Sequence, residues 1–481
     1  MTKPVFSTLA LAALLAMAGC ASLEPTLPNA APAIPEQWPA APVTGVAPAA
    51  AAAANAATAP NGIAAADTGW RDFFTDPKLA ELIARALTNN RDLRVAVANV
   101  ERARAQYRIV RADRLPALGA SATLTRGGDG PQPAPQYSVG LGIASFELDL
   151  FGRVRNLSDA ALQQYFAQEE SRRAAQLALV AEIANAYLTL GADRELQQLA
   201  RDTLANRRKA LELAERQHEL GAVSALDLSQ AQTATETART DVARYAGQVA
   251  RDINALNLLV GAPVEEALLP PRFGADVPDL ALLPAGLPAE VLLRRPDVQQ
   301  AEHLLRAANA DIGAARAAFF PSISLTASIG SASNELSDLF SSGTRVWSFV
   351  PQINLPIFQG GRLRATLGMS QAERDAALAQ YEKSIQNGFR EVADALALGS
   401  TLAEQKAAQQ ALVTAATRAD QLSRARYEAG RDSYLVLLDS QRTLYQAQQS
   451  LVTTRLAEQS NRVALYQVLG GGWHEHSQQA Q

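Results

Sequence analysis

The sequence predicts a mainly α-helical protein with a small membrane β-barrel, built from a helix, a β-hairpin and a long helix pair that occur twice in the chain. Three observations support this fold class: long proline-free helical stretches, short segments of alternating polarity, and a steady offset between similar residues in the two halves. The composition agrees, because 48% of the 481 residues are hydrophobic but only 6% are aromatic. Such a profile is typical of helices that pack through small side chains.

Residues 1–19 are predicted to be a bacterial export signal. Lys3 gives a short basic start, residues 5–17 are an apolar core, and two small residues precede Cys20, the only cysteine of the chain. This order describes a secretory signal peptide. The sequence Met-Ala-Gly-Cys at 17–20 resembles a bacterial lipobox, which predicts cleavage before Cys20 and a covalent lipid on that residue.

Residues 20–66 are predicted to be a lipidated, Pro/Ala-rich tether between the anchor and the folded body. Proline at this density disfavours helix and sheet alike, and such segments act as extended linkers. Lipoproteins of this kind that stay in the inner membrane tend to carry aspartate after the lipidated cysteine. The alanine at position 21 therefore predicts sorting to the outer membrane.

Comparison of the chain with itself indicates an internal duplication. Asp92 and Asp297 begin similar segments 205 residues apart, and from Gly221 and Gly430 onward the corresponding residues are 209 apart. An offset this steady is the signature of a repeated structural unit. The predicted division is a signal peptide (1–19), the tether (20–66), a first repeat (67–266), a second repeat (267–473) and a polar C-terminal tail (474–481).

Each half is predicted to begin with a helical stretch, at about 76–114 and about 287–319, which a proline ends. Two segments follow in which apolar residues alternate with small or polar ones, the pattern of strands with one apolar face. Loops rich in glycine, proline and serine separate the two segments of each half, so each pair predicts a β-hairpin. The four predicted strands are residues 118–126, 137–144, 322–330 and 345–357.

Two long helices complete each half, and no proline interrupts them. They are predicted at about 153–219 and 222–260 in the first half and at about 361–428 and 431–468 in the second. Gly221 and Gly430 are predicted at the turns of the two helix hairpins, where a positive φ is often needed. Gly152 and Gly361 are predicted at the strand–helix junctions.

Four strands cannot close a membrane barrel, because the smallest single-chain barrels have eight. The strands are nevertheless long enough to cross an outer membrane when tilted, and lipid does not tolerate an open sheet edge. The sequence therefore predicts a homotrimer with a 12-stranded β-barrel on a 12-helix periplasmic α-barrel. Ser322, Ser324 and Thr326 are expected to face a water-filled lumen. No apolar run of about 20 residues follows position 20, so no internal transmembrane helix is expected.

Composition and motifs also argue against several function classes. A net charge of −4 and the lack of a long basic run disfavour nucleic-acid binding. One cysteine allows neither an intrachain disulfide nor a cysteine-based zinc site. No Ser/His/Asp set, catalytic carboxylate pair or nucleotide motif stands out. The prediction is therefore a protein that is not an enzyme, without metal or cofactor apart from the lipid on Cys20.

Several long motifs follow one another in a specific order between about residues 66 and 473. They include NNRDL at 89–93, FELDLFG at 146–152, RRPD at 294–297, YLVLLDSQR at 434–442 and LGGGW at 469–473. In this order they resemble the TolC family of outer-membrane efflux proteins, in the lipoprotein branch typified by OprM and NodT.

The resemblance implies the partners and the activity. It implies a homotrimeric exit duct that binds a periplasmic adaptor (membrane fusion) protein and an inner-membrane pump, often of the resistance-nodulation-division (RND) type. The pump would supply the energy. The duct, set in outer-membrane lipid, would passively conduct drugs or other small toxic compounds to the exterior.

The resemblance also implies a gate near the helix-hairpin turns. Leu435 and Asp439 lie four residues apart on one helix face, and in that family these positions form an apolar and an acidic ring at the closed constriction. Arg442 is the expected partner of Asp439, with Tyr427 just before the turn. Because Gln230 stands opposite Asp439 in the first repeat, the acidic ring would come from the second repeat only. The alternative is that Asp439 and Arg442 form a surface ion pair worth at most about 1 kcal/mol.

Two other classes stay open at the level of sequence. A periplasmic adaptor lipoprotein is also exported and rich in coiled coil, but it would have one helical hairpin and lipoyl-like domains. A structural coiled-coil lipoprotein that spans the periplasm would need no membrane strands.

Overall fold

The computed structural model describes residues 23–32, 34–35, 67–127, 134–273, 280 and 289–477. The predicted signal peptide, Cys20, most of the tether and the last four residues of the predicted tail lie outside the described residues. The described part of the chain is mainly helical, and its main elements occur twice in the predicted order.

The elements of the first half are α1 (Trp70–Phe73), α2 (Pro77–Asn89), α3 (Arg91–Ala112), β1 (Leu118–Gly127), β2 (Ala134–Leu148), α4 (Arg153–Glu219) and α5 (Ala225–Val260). Those of the second half are α6 (Pro296–Ala317), β3 (Ser322–Ser333), β4 (Arg345–Asn354), α7 (Arg362–Glu428) and α8 (Tyr434–Val468). Short 3-10 helices occur at Glu266–Leu268, Ala289–Arg294 and Leu336–Asp338. The four long helices and the four strands confirm the predicted ones to within a few residues at most ends.

Two helix boundaries differ from the prediction. The first helical stretch is divided at Asn90, whose amide donates to the Leu259 carbonyl and whose side-chain oxygen accepts the Leu93 N–H, each at 2.9 Å. Asn90 therefore ends α2 and caps α3. In the second half, the predicted start at 287 is wrong. The α-helix begins at Pro296, because proline suits the first helical turn, where no N–H partner is needed.

The chain divides into two compact units, each built from separate segments. The first comprises the described residues of Met1–Pro32, Val97–Ser171 and Asp297–Ser384, and the second those of Ala33–Ala96, Arg172–Pro296 and Ile385–Gln481. The whole sheet thus belongs to the first unit, and both helix-hairpin turns belong to the second.

The four strands form one antiparallel sheet in the order β1-β2-β3-β4. β1 pairs with β2 and β3 pairs with β4, which confirms both predicted hairpins, while β2 and β3 join the two halves of the chain. The register shifts by one residue between Ile143 and Phe146, where Ser145 has a φ of 52°. This β-bulge returns the apolar side chains of β2 to the same face after the shift.

An aromatic cluster forms the core of the second unit. Trp70, Phe73 and Phe74 are at most 2% exposed, and the Phe73 ring stacks on Tyr466 with centroids 3.9 Å apart. Tyr187, also buried, donates its hydroxyl to the Asp76 carboxylate at 2.7 Å. These aromatic residues therefore lie where short elements must be fixed to long helices.

Residues 474–477 of the predicted polar tail are held against α1. The Trp70 N–H donates to the His474 carbonyl at 3.0 Å and the Arg71 N–H donates to the Glu475 carbonyl at 3.1 Å. Ser477 donates both its N–H and its hydroxyl to the Asp72 carboxylate, which lowers the pKa of Asp72. The first N–H groups of a helix need acceptors from outside it, and this part of the tail supplies them.

Among the described residues, one helix, α4, contains a segment long and apolar enough to cross a membrane by length and composition. By length and composition alone, this segment stands against the expectation that no internal transmembrane helix follows position 20. More than half of the segment is buried inside the protein, as in a core helix, so it is weak evidence for a membrane span.

Candidate functional site

The sheet has one apolar and one mainly small or polar face, which the pairing register defines. The apolar face carries Leu118, Leu124, Val139, Leu141, Ile143, Ile323, Leu325, Ile329, Trp347, Phe349 and Ile353. The opposite face carries Ser121, Thr123, Thr125, Ser138, Ser322, Ser324, Thr326, Ser328, Ser348 and Gln352, with Val346 and Val350 as apolar members. The three residues predicted to face a lumen thus share the polar face.

Large apolar side chains of the sheet lie open in the single chain. Trp347 is 75% exposed, Ile353 69% and Phe349 59%. A row of exposed aromatic and branched side chains on one face of a sheet is typical of strands that contact lipid. The apolar face therefore fits a membrane.

Among the residues that the structure describes, both edges of the sheet are unpaired. There β1 pairs only with β2 and β4 only with β3, and each of these edge strands has 10 residues. Their free N–H and C=O groups can accept a further strand, which edges of this length attract. The sheet is therefore an open segment of a larger structure.

Glycine permits a close approach of β2 and β3 at the centre of the sheet. A Cβ added to Gly330 would lie 2.2 Å from the Val139 carbonyl oxygen and 2.7 Å from the Cα of Gly140. No side chain fits this space, so the polar face is flat at this point.

The strand–helix junctions are tight turns fixed by side chains. Gly152 and Gly361 have φ values of 76° and 88°, as suits the predicted junction glycines. In the first junction the Arg153 guanidinium forms two hydrogen bonds with the Glu147 carboxylate. Nearby, the Phe151 ring stacks on Phe320 with centroids 4.7 Å apart. These contacts set the direction in which α4 leaves the sheet.

The two helix-hairpin turns have the same backbone geometry. Gly221 and Gly430 have φ values of 70° and 67°, and both turns close with the same pair of backbone hydrogen bonds. These are the two bonds of a Schellman helix end. The turns differ in how the next helix starts, because Ser224 forms a capping box with Asp227, whereas Ser433 makes no side-chain cap. Both glycines thus have the positive φ that the predicted turns require.

The predicted gate residues lie in or beside the second of these turns. Leu435 is 51% exposed, and Asp439 and Arg442 are exposed as well. In the described part of the chain, no ion pair joins Asp439 and Arg442 within one chain. Tyr427 is half-buried against Tyr434 with ring centroids 5.8 Å apart, and burial raises its pKa. The side chains of Leu435, Asp439 and Arg442 are thus available to groups outside the chain.

A buried polar cluster near the same turn was missed by the sequence analysis. Arg207 of α4, Asp420 of α7 and Tyr434 of α8 are each less than 9% exposed, and Arg207 donates a hydrogen bond to the Gln441 side-chain oxygen. A signal existed in the sequence. Ala200, Leu204, Arg207, Leu211 and Ala214 follow the alternating four- and three-residue spacing of a coiled-coil stripe, so Arg207 occupies a core position.

Two carboxyl groups share a buried site between α4 and α5 in the second unit. Burial, with a hydrogen bond to Asp252, raises the pKa of Asp193 to about 6, and burial also raises the pKa of Asp252. The positive charge of Arg251 opposes both shifts but does not cancel them. Like charges this close cannot both ionise easily, so the pair holds a proton in mildly acidic solution.

Comparisons with known proteins agree with this architecture. A family model described as "Outer membrane efflux protein" matches residues 82–262 and 287–471, one segment in each predicted repeat. The chain is 49% identical over 427 residues to the antibiotic efflux pump outer membrane protein ArpC of Pseudomonas putida. The aligned residues cover 87% of this chain and 88% of ArpC. It has the same identity and coverage with the toluene efflux pump outer membrane protein TtgC of the same species. Its fold is similar to the crystal structure of the open state of the Neisseria gonorrhoeae MtrE outer membrane channel, with a TM-score of 0.84, 38% identity, and coverage of 95% of this chain and 100% of that chain.

Proposed function

Because the chain belongs to the outer membrane efflux protein family, we propose that three copies of it form a gated exit duct through the outer membrane. The duct receives compounds from a periplasmic adaptor protein and an inner-membrane pump, of the RND type, and releases them outside the cell. Conduction is passive, since the pump supplies the energy.

The two-faced sheet with two free edges is the observation that carries this proposal. A four-stranded sheet cannot close on itself, and its edges cannot remain unpaired in lipid. When β4 of one copy pairs with β1 of the next, three copies of the 4-stranded sheet give a closed barrel of 12 strands. The apolar face then contacts lipid and the polar face lines a wet lumen.

The compounds exported are small and toxic, of the kinds for which the relatives are named. ArpC is named for antibiotics and TtgC for toluene. The small hydroxyl side chains of the polar face offer few specific contacts, which suits a duct that leaves the selection of substrates to the pump.

The gate lies at the second helix-hairpin turn. Leu435 forms an apolar ring and Asp439 an acidic ring about the threefold axis. Both side chains are exposed in the single chain, which supports this assignment. Because Asp439 has no ion-pair partner in the described part of its own chain, Arg442 of a neighbouring copy neutralises it. Tyr427 packs behind the turn and holds it in place.

A lipid on Cys20 anchors the chain beside the barrel. Cys20 is three residues before Leu23, whose carbonyl accepts a hydrogen bond from Arg316 at 3.1 Å. Pro25 and Glu24 accept further hydrogen bonds from the Asn309 amide. Arg316 lies in the last turn of α6, directly before β3, so the start of the tether is held close to the membrane strands.

Arginine substitutions at neighbouring positions of β4 test the proposed barrel. Phe349→Arg places a charge on the apolar face, which costs about 2–4 kcal/mol for each copy near the membrane midplane. We expect this variant to lose the outer-membrane trimer. The matched variant Ser348→Arg places the same charge on the polar face, and we expect it to assemble and to conduct. Equal assembly of the two variants in outer-membrane fractions would contradict the proposed orientation of the sheet.

A further inference from the structure

Arg207 is buried near the helix-hairpin turns, where helices of the two halves of the chain meet within the second unit. It is 6% exposed, with Asp420 of α7 at 8% and Tyr434 of α8 at 7% beside it. An arginine this deeply buried is uncommon unless a carboxylate pairs with it. Its role therefore depends on what neutralises its charge.

The groups next to the Arg207 guanidinium are neutral, namely the Gln441 amide and the Tyr434 hydroxyl. The guanidinium donates to the Gln441 side-chain oxygen, and in the described part of the chain no carboxylate lies within ion-pair distance of it. Asp420, whose negative charge favours the charged form of Arg207, is oriented toward Arg424 of its own helix at 3.4 Å and leaves its second oxygen without a hydrogen bond. The exposed Arg442 adds a like charge in the same neighbourhood.

The packing of α8 on α4 and α5 is therefore favoured by apolar contacts and opposed by the loss of hydration of Arg207. Tyr434 and Leu438 of α8 pack against Ala214 of α4 and against Ala231 and Ala234 of α5, which favours contact. Arg207 gives up its hydration in the same contact without gaining an ion pair, and such a loss is only partly recovered from a neutral acceptor. Burial accordingly lowers the pKa of Arg207. Any separation of α8 from α4 readmits water to the guanidinium and removes this cost.

We propose that Arg207 is a positioning residue of the gate, which weakens the packing of α8 on α4 and so lowers the free energy needed to open the second helix-hairpin turn. This inference rests on the proposed gated duct. Arg207 touches neither the exported compound nor the exposed gate residues, and acts only through the helix that carries Leu435 and Asp439.

Single-channel recordings of the full-length trimer in planar bilayers test the inference. Arg207→Met keeps the length of the side chain and removes its charge, and we expect the fraction of time spent open to fall roughly tenfold. Gln441→Glu supplies the missing carboxylate, and it is expected to reduce opening in the same direction. Arg208→Met is the matched control, since Arg208 is the next residue of α4 and is exposed; it should open as the unmodified chain does.

Each outcome of these recordings supports or contradicts the inference. More frequent opening of Arg207→Met would show that Arg207 holds the gate closed and would overturn the inference. A change in the melting temperature of the trimer without a change in opening would reduce Arg207 to a structural residue and would also overturn the inference.

Should Arg207→Met fail to assemble, Arg207→Leu provides a second neutral variant with the same expectation. An unmodified trimer that conducts but never switches between states would contradict the proposed gate itself, whereas switching that Arg207→Met leaves unchanged contradicts this inference alone.

Discussion

Asp439 and Arg442 lie three residues apart on the exposed side of α8. In the described part of the chain they form no ion pair with each other, although their spacing allows one on a helix. Three copies of Asp439 around an axis repel one another at short range, so a closed gate needs positive charge from a neighbouring copy. The sequence predicts one helix face for Leu435 and Asp439, and the position of an exposed side chain depends on the partner chain that it meets.

Substitution of Asp439 tests the acidic ring. Asp439→Ala removes the attraction for cations and the proposed contact with Arg442 of a neighbouring copy, so we expect single-channel conductance to rise and cation preference to fall. Gln230→Ala is the matched control at the equivalent position of the first repeat and should leave both properties unchanged. If both variants conducted alike, the acidic ring would not lie at the constriction.

Gly330→Ala tests the close approach of β2 and β3. The added Cβ would lie 2.2 Å from the Val139 carbonyl oxygen, a distance that real atoms do not share, so the two hairpins must separate. We expect loss of the trimer from outer-membrane fractions. Gly119→Ala on β1 is the control, because its Cβ would meet nothing within 4 Å, and normal assembly of Gly330→Ala would show that the register of β2 and β3 is wrong.

The burial of Arg207 can be predicted from the sequence, but its hydrogen-bond acceptor cannot. Arg207 lies in a coiled-coil stripe of alanine and leucine, which the spacing of these residues indicates. Its acceptor, Gln441, lies 234 residues away, and no spacing rule connects the two. The burial of a charged residue is therefore predictable from periodicity, while its partner depends on how distant helices pack.

Among the elements, strands and long helices were the most predictable, because their periodicity is repeated in both halves. The alternation over β3 and β4 gives their pairing and their two faces without further information. Shorter features depend on distant contacts. The division at Asn90 needs the Leu259 carbonyl, and the docking of residues 474–477 needs the first N–H groups of α1. Asparagine is a common N-cap residue, but the Leu259 carbonyl that holds Asn90 lies 169 residues away.

The pair Asp193 and Asp252 predicts a pH dependence for the contact of α4 with α5. Because the folded protein raises the pKa of Asp193 to about 6 from its usual value near 3.8, it binds more protons than the unfolded chain between these values. The contribution of this pair to stability must then fall as pH rises from about 4 to about 6. Asp193→Asn keeps the shape of the side chain without the charge and should remove part of this decline, at most about 3 kcal/mol.

The melting temperature of the trimer, measured from pH 4 to 7 for both proteins, checks this expectation. Asp202→Asn is the control, since Asp202 is an exposed acid on the same helix, and its melting curve should run parallel to that of the unmodified chain. Parallel curves for Asp193→Asn as well would mean that the two carboxyl groups do not share a proton.

For the whole molecule, the duplication is the feature that sequence reveals most directly. The same order of helix, hairpin and helix pair recurs in the structure, and the turns at Gly221 and Gly430 agree in backbone geometry. A periplasmic adaptor would have one helical hairpin, and a structural rod would have no sheet with an exposed apolar face. Membership of the outer membrane efflux protein family therefore agrees with the physical argument from the sheet. Closure of the barrel cannot be read from one chain, because it is a property of three.

The mass of the purified protein in detergent, measured together with its single-channel conductance in a planar bilayer, is the most direct test of the shared barrel. We expect a trimer that inserts, shows a small, cation-preferring conductance, and switches between a closed and an open state. A monomer that never inserts would contradict the shared barrel, and with it the exit duct.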